Sequence, residues 1–334
     1  MSTHAQRVAP EVSVLMPCFN AEAFLQESLH SILSQSFADL EIVAVNDGSS
    51  DKTKEILEAV SSRDARLRVH SFPGQRGLVA ALNAGRDLCQ GRFVARMDAD
   101  DVAHRTRLEN QVTFLQQSAA FAGVGSWART IDRAGRLGEI LRFPAWEVIS
   151  QGAYATGGIG PNQFAHPAMM VRRDALDAVG WYRPAFQLAE DSDLWRRLLD
   201  AGFRLTNLQA VLLDYRWHGE NVTTTARPAQ VASSLRAVLS QRMRLAGIDD
   251  PFDAMSGPLL DRVVDRWEDF PRDVRAPVRV MWVRRMTKLR DSADDVDLVP
   301  ELIGAVADGG WDAHLAKVAW ILGLESFRRL QFGH

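Results

Sequence analysis

The sequence predicts an α/β protein: a mostly parallel central sheet flanked by helices, followed by a mainly helical C-terminal region. Three observations carry that class. Short β-rich runs alternate with helical periodicities across the first hundred residues, the pattern of a parallel sheet covered on both faces. The run Phe93-Val94-Ala95-Arg96-Met97 is apolar enough for a buried strand. Polar clusters stand at three strand ends, where such sheets bind their ligands: Cys18-Phe19-Asn20, Asn46-Asp47-Gly48 and Asp98-Ala99-Asp100-Asp101.

Each element follows from its own pattern. Residues 12–16 are a strand that stops at Pro17, and Leu25, Leu29, Ile32 and Leu33 recur at helical spacing within 21–35. A strand at 41–45 leads to a turn after which Ser50 or Asp51 caps a helix bearing Ile56, Leu57 and Val60. Strand 67–72, a helix with Leu78, Ala81, Leu82 and Leu88, and strand 93–97 complete the alternation. Asp101 is expected to start the next helix, where its charge favours the dipole. Beyond it, 121–131 and 137–143 read as hairpin arms turning at Asp132-Arg133-Ala134-Gly135. The glycine-rich stretch 152–161 reads as a mobile loop, 168–171 as a strand and Glu190-Asp191-Ser192-Asp193 as an acidic helix start. The final strand, about 208–215, runs into Arg216-Trp217-His218. The pattern turns helical from 228. The expected organisation is a flexible stretch 1–10, a domain 11–227 with halves 11–103 and 104–227, and a helical region 228–334.

Composition narrows the function classes. In 334 residues, 46% hydrophobic and 24% charged, the net charge of −3 gives no reason to expect nucleic acid as a partner. Cys18 and Cys89 lie in apolar segments and read as reduced core thiols of a cytoplasmic protein. No apolar run is long enough to span a bilayer. The stretch 277–290 carries Arg279, Arg284, Arg285, Lys288 and Arg290 with no acid. Either it packs with its charges in water, or it gives peripheral contact with the inner face of the cell membrane. Dinucleotide-binding and P-loop signatures are absent.

The acid string is where chemistry is expected. Like charges this close repel, and a bound cation or protonation relieves them. Continued as a strand, the chain would put Asp98 and Asp100 on one side, and their hard oxygens suit Mg²⁺ or Mn²⁺ with a diphosphate completing the shell. Such strings also solvate loops or cap helices.

Six pieces in order and spacing resemble the inverting nucleotide-sugar glycosyltransferases of family 2, with the GT-A fold, over about 12–222. They are Val14-Leu15-Met16-Pro17-Cys18-Phe19-Asn20, Val45-Asn46-Asp47-Gly48-Ser49-Ser50-Asp51, Gly77-Leu78-Val79-Ala80-Ala81-Leu82-Asn83-Ala84-Gly85, Gly91 to Asp101, Glu190-Asp191-Ser192-Asp193-Leu194-Trp195 and Tyr215-Arg216-Trp217-His218. The resemblance implies a nucleotide-sugar donor, Mn²⁺ or Mg²⁺, and a saccharide or lipid-linked saccharide acceptor. Asp47 would accept from the base, uracil N3–H for a UDP donor, a role compatible with capping a turn. Pro17, Phe19 and Glu22 would shape the base and ribose pocket; the family often has Tyr where this chain has Phe19. Arg76 and Asn83 would lie near the base or ribose, although Arg76 equally fits a solvated loop. Asp98 would contact ribose or share the metal, with Asp100 the direct ligand and His218 a third. Asp191 would be the base that takes the acceptor's proton, with Glu190 orienting it or binding acceptor. Trp181 is a candidate acceptor platform and His166 stands near the expected acceptor side, whereas the spacing of Trp195 favours core packing. The rivals are a nucleotide-sugar binding or scaffold protein with little turnover, and a sugar nucleotidyltransferase, which would release pyrophosphate.

Overall fold

The structure is a computed structural model, and it describes residues 9–152, 154–155, 162–217, 227–247, 250 and 252. These fall into two compact units. The first takes in the described residues up to 183 together with 194–217; the second takes in 184–193 and those from 227 onward. Residues 184–193 thus group with the C-terminal part, which a boundary near 228 does not anticipate.

Nine strands of the first unit form one sheet, ordered β3-β2-β1-β4-β8-β6-β9-β5 with β7 paired to β6, the edge strand β5 being Val102–Ala103. Strands β1 (Val12–Cys18), β2 (Leu40–Asn46), β3 (Leu67–Ser71) and β4 (Phe93–Arg96) are mutually parallel. Their connections are α1 (Leu25–Leu33), α2 (Thr53–Ser61) and α3 (Leu78–Arg86). Beyond β4 the sheet is mixed. Strand β8 (Met170–Arg172) pairs antiparallel with both β4 and β6 (Phe121–Ile131), while β9 (Arg204–Arg216) runs parallel to β6. The predicted hairpin is β6 with β7 (Leu137–Leu141). Its turn is tied by Asp132, whose Oδ1 accepts from the amides of Ala134 and Arg136.

Alternation along the buried strands builds two cores. Val14 and Met16 join Leu25, Leu29, Ile32 and Leu57 on one face; Leu15, with Val43 and Val45, meets Val79 and Leu82 on the other. Each such side chain contributes roughly 1.5–3 kcal/mol by leaving water. Helix α4 (Arg107–Gln117) adds Leu108, Val112 and Leu115 to the first core. Helices α6 (Arg173–Val179) and α7 (Glu190–Asp200) add Leu176, Leu194, Trp195 and Leu198 to the second. Helix α5 is the single turn Trp146–Ile149.

The two cysteines are free and buried, and burial pushes the Cys89 thiol up to about 12. Among the described residues no helix is long and apolar enough to cross a membrane. The stretch 277–290, the loop 157–161 and His218 lie outside the described residues. In the second unit, α8 (Arg227–Leu245) is tied at Ser233, whose Oγ donates to the Gln187 carbonyl at 2.6 Å. The buried rings of Phe186 and Phe252 meet at 5.3 Å.

Candidate functional site

The order β3-β2-β1-β4 reverses direction at β1, and the carboxyl ends of β1, β2 and β4 meet there. At the end of β1, Pro17 is buried and Phe19 is 43% exposed. Asn20 follows in the left-handed region, φ 47°, where its Oδ1 accepts from Ser50 N at 2.9 Å. Glu22 and Asp51 brace the loop reciprocally: Glu22 Oε2 accepts from Lys52 N, and Asp51 Oδ2 accepts from Glu22 N, both at 3.0 Å. Asp51 Oδ1 also accepts from Thr53 N at 3.0 Å, although the N-cap position of α2 falls on Lys52 and not on Ser50 or Asp51 as expected.

Asp47, at the end of β2, is 4% exposed, and its carboxylate spans two amides. Oδ1 accepts from Arg76 N at 2.7 Å and Oδ2 from Gly77 N at 2.9 Å. It therefore caps the approach to α3, not the turn after β2. Two glycines permit this. Gly77 adopts φ 92°, and a Cβ on Gly48 (φ 68°) would fall 2.5 Å from Gly74 Cα. Four lone-pair sites serve two amides, so the carboxylate keeps capacity for another donor. The exposed Arg76 guanidinium lies 4.6 Å from the centroid of Phe72. Asn83 is committed elsewhere: Nδ2 donates to the Tyr182 carbonyl at 2.7 Å, and Oδ1 accepts from Tyr182 N at 3.3 Å.

Strand β4 ends at Arg96, and a turn at Ala99–Asp100, not continued extension, gathers the acids. Ligating oxygens of Asp98, Asp100 and Asp101 lie within 4.8 Å of one another. Asp101 does not start a helix. It leads into β5 (Val102–Ala103), and α4 begins only at Arg107. Its carboxylate is 1% exposed, Oδ1 accepts from Arg216 N at 2.8 Å, and Oδ2 is buried with no hydrogen-bond partner among the described residues. Burial first, then Asp100 and Asp98, raise this carboxyl well above the usual carboxylate range. The Cys18 thiol is raised by burial and then by Asp98 and Asp100, which ties the end of β1 to the same field.

Three buried arginines lie beneath the acids, and none was assigned a role from sequence. Arg96 is ion-paired with Asp98. Burial alone would pull this guanidinium down, but the Asp98 charge and hydrogen bond raise it above its ordinary value. Arg107 donates to the Arg96 carbonyl at 2.8 Å; burial pulls it down to about 9, against the opposing effect of Asp101. Arg216 donates through Nε to the Asp100 carbonyl at 2.8 Å. A cationic residue inside the apolar run 93–97, directly before acids, was the available signal for Arg96. Ser28 Oγ donates to the Asp98 carbonyl at 2.9 Å, completing the support. Clustered carboxylates, one with a buried oxygen that has no partner among the described residues, are a donor set that fits a hard divalent cation.

The expected acceptor-side residues of the first unit are packed. Trp181 is 1% exposed with φ 57°; its Nε1 donates to Asp177 Oδ1 at 2.7 Å and its carbonyl accepts from Arg197. No ring face is left on which a sugar could stack, which corrects the platform expectation. His166 is 8% exposed, its Nε2 2.8 Å from the Tyr182 hydroxyl and its ring edge-on to Trp195 at 5.9 Å. Burial and then Arg96 hold it well below its usual value, so the imidazole is neutral. Trp195 is 2% exposed in the core, as its spacing predicts. In the second unit, Glu190, Asp191 and Asp193 load the first turn of α7; Asp191 is half-buried and accepts at Oδ1 from Ser192 N at 2.7 Å.

Comparison with known proteins fits this geometry. Residues 13–180, just over half the chain, match the family described as Glycosyl transferase family 2. The O-antigen biosynthesis glycosyltransferase WbnJ of Escherichia coli is 31% identical over 244 residues, 71% of this chain and 92% of that protein. The UDP-Gal:alpha-D-GlcNAc-diphosphoundecaprenol beta-1,3-galactosyltransferase of Escherichia coli is 28% identical over 233 residues, 68% of this chain and 82% of that one. Among solved structures, S. aureus TarS 1–349 in complex with UDP-GlcNAc superposes with a TM-score of 0.62 at 17% identity, covering 89% of this chain and 80% of that one. At that identity the likeness is one of fold, and the fold is GT-A.

Proposed function

This chain belongs to glycosyl transferase family 2, and from that premise we propose that it moves one sugar, with inversion, from a UDP-linked donor to a saccharide or lipid-linked saccharide hydroxyl. The observation that carries the reading is the gathering of Asp98, Asp100 and Asp101 at the end of β4, beside the strand ends that bear Phe19 and Asp47. The relatives' names, an O-antigen enzyme and a UDP-Gal transferase acting on a diphospholipid-linked sugar, support the donor and acceptor classes.

In this reading Asp47 accepts from the base while its other lone pairs keep Arg76 N and Gly77 N in place. Phe19 supplies an exposed aromatic wall, with Pro17 behind it. Arg76, held over Phe72, offers its guanidinium to the donor. Glu22 and Asn83 act indirectly: one braces the loop after β1, the other fastens the segment at Tyr182 to α3. Asp100 is the metal ligand, and Asp98, already paired with Arg96, is shared between ribose and metal. Bound Mn²⁺ or Mg²⁺ supplies charge neutralisation on the departing diphosphate. Asp191 takes the acceptor's proton, with Glu190 beside it in the same helical turn. His218 is assigned as a further ligand on the sequence resemblance alone.

The test is a panel of nucleotide sugars screened for thermal stabilisation with Mn²⁺ and with chelator, followed by transfer assays on the donors that bind. Stabilisation by UDP-sugars only when Mn²⁺ is present, with UDP released on transfer, is the expected result. Release of pyrophosphate, or binding with no transfer to any saccharide acceptor, would overturn the reading. Asp191→Asn should bind donor normally and lose about 10²–10⁴-fold in kcat.

A further inference from the structure

We infer that Arg216 is the positioning residue of the acid loop, holding Asp100 and Asp101 in a ligating array and joining them to α1 and the β6–β7 turn. The inference rests on the metal–diphosphate reading of Asp98–Asp101 proposed above.

Arg216 closes β9 and is 1% exposed. Its backbone amide donates to Asp101 Oδ1 and its Nε to the Asp100 carbonyl, each at 2.8 Å. Nη1 donates to the Asp132 carbonyl at 3.0 Å, in the turn between β6 and β7, and Nη2 to Glu27 Oε2 on α1 at 2.6 Å. The guanidinium lies 4.5 Å from the Phe24 ring centroid at the start of α1. These partners are 84 to 189 residues away in sequence, so one side chain gathers three distant segments around one turn.

The chemistry calls for such a residue. Three carboxylates in one turn repel, and the peptide carrying them must be held from outside if their oxygens are to stay together before a cation arrives. A guanidinium fork has five N–H donors in fixed directions, so it supplies charge and geometry together. A lysine would keep the charge and lose the fork. The two anchors act on adjacent residues: Asp100 is pinned through its peptide carbonyl, while Asp101 is pinned through its side chain. Glu27 and the Phe24 face fix the plane of the fork from the other side. A brace that served only stability would change melting and leave the metal requirement alone. A positioning residue changes the metal requirement in a protein that still folds.

The experiment compares wild type with Arg216→Lys, Arg216→Met and Glu27→Gln in the full chain. Melting without metal reports folding. Titration of Mn²⁺ in the presence of UDP, read by the paramagnetic resonance of free Mn²⁺, reports the site. Arg216→Lys and Arg216→Met should weaken Mn²⁺ binding in the UDP complex by about 10–100-fold, the size expected for losing the support of a ligating group. Glu27→Gln, which loosens one arm only, should weaken it less, by roughly 2–5-fold. Folded Arg216→Lys that binds Mn²⁺ with UDP as wild type does would overturn the inference and leave the site reading standing. Should Arg216→Met not fold, Arg216→Lys and Glu27→Gln decide by the same criterion. Wild type that binds no Mn²⁺ with UDP would sink the site reading itself.

Discussion

The acid loop after β4 and the aromatic cluster around His166 are both rich in polar groups, yet they treat those groups in opposite ways. At the loop, Asp98, Asp100 and Asp101 stay together because buried guanidiniums and backbone anchors offset their repulsion, and one buried oxygen of Asp101 has no partner among the described residues. Around His166 the polar groups named as candidates are spent inward, as in His166 to Tyr182, Tyr182 to Asn83 and Trp181 to Asp177. Polar residues near a site are therefore not evidence of contact with substrate. What distinguishes the loop is spare ligating capacity in a field built to tolerate it.

Removing the proposed metal ligand from the loop is the strongest way to break this contrast. Asp100→Ala should cut transfer by on the order of 10²–10³-fold at saturating donor while melting changes little. Steady-state rates against Mn²⁺ check it, and a rate near wild type would take Asp100 out of the site. In the aromatic cluster the reverse is expected. Trp181→Ala removes a fully buried ring and should cost about 3–5 kcal/mol of stability, with half-saturating donor unchanged in the protein that remains folded. A large change in acceptor KM without loss of stability would return Trp181 to the site.

Asp47 lies between the two behaviours, because it holds a loop and is proposed to meet the donor base. Asp47→Ala strands two amides and should cost about 1–3 kcal/mol for each, together with donor affinity. Chemical denaturation and UDP binding, measured on the same variant, separate the two losses.

The pH dependence should differ in sign between the regions. His166 is held below its usual 6.5, so the stability it contributes is full above that pH and is lost as pH falls toward its depressed folded value. The slope is about 1.4 kcal/mol per pH unit within that window, and His166→Gln should abolish it. Asp101 is held above its usual 3.8, so its contribution falls as pH rises from there toward the raised value. Asp101→Asn keeps an acceptor for Arg216 N and should stabilise the protein near neutral pH by on the order of 1 kcal/mol, about 2–4 °C. Denaturation curves at pH 5 and pH 8 for both variants test the pair; slopes of the same sign would erase the contrast.

Much of this was legible beforehand for a local reason. A buried parallel strand must be apolar and must end in a turn, so alternation located β1–β4, and the polar clusters at their ends marked the candidate site. The hairpin turn was equally plain, since Asp132 and Gly135 satisfy purely local geometry. Asp101 misled because an acid before a helical pattern reads as a cap, whereas β9 supplies a partner strand that turns the next two residues into β5. Trp181 misled because stacking rings and core rings have the same composition.

By itself, the sequence determined the fold class, the family and the strand ends at which the acids stand, because these follow from side-chain period and from motif order along the chain. Only the tertiary structure decided how those acids are tolerated. Arg96, Arg107 and Arg216 come from β4, α4 and β9, and Glu27 lies 189 residues from the guanidinium it meets. Compensation of charge depends on distance in space, which sequence spacing does not encode.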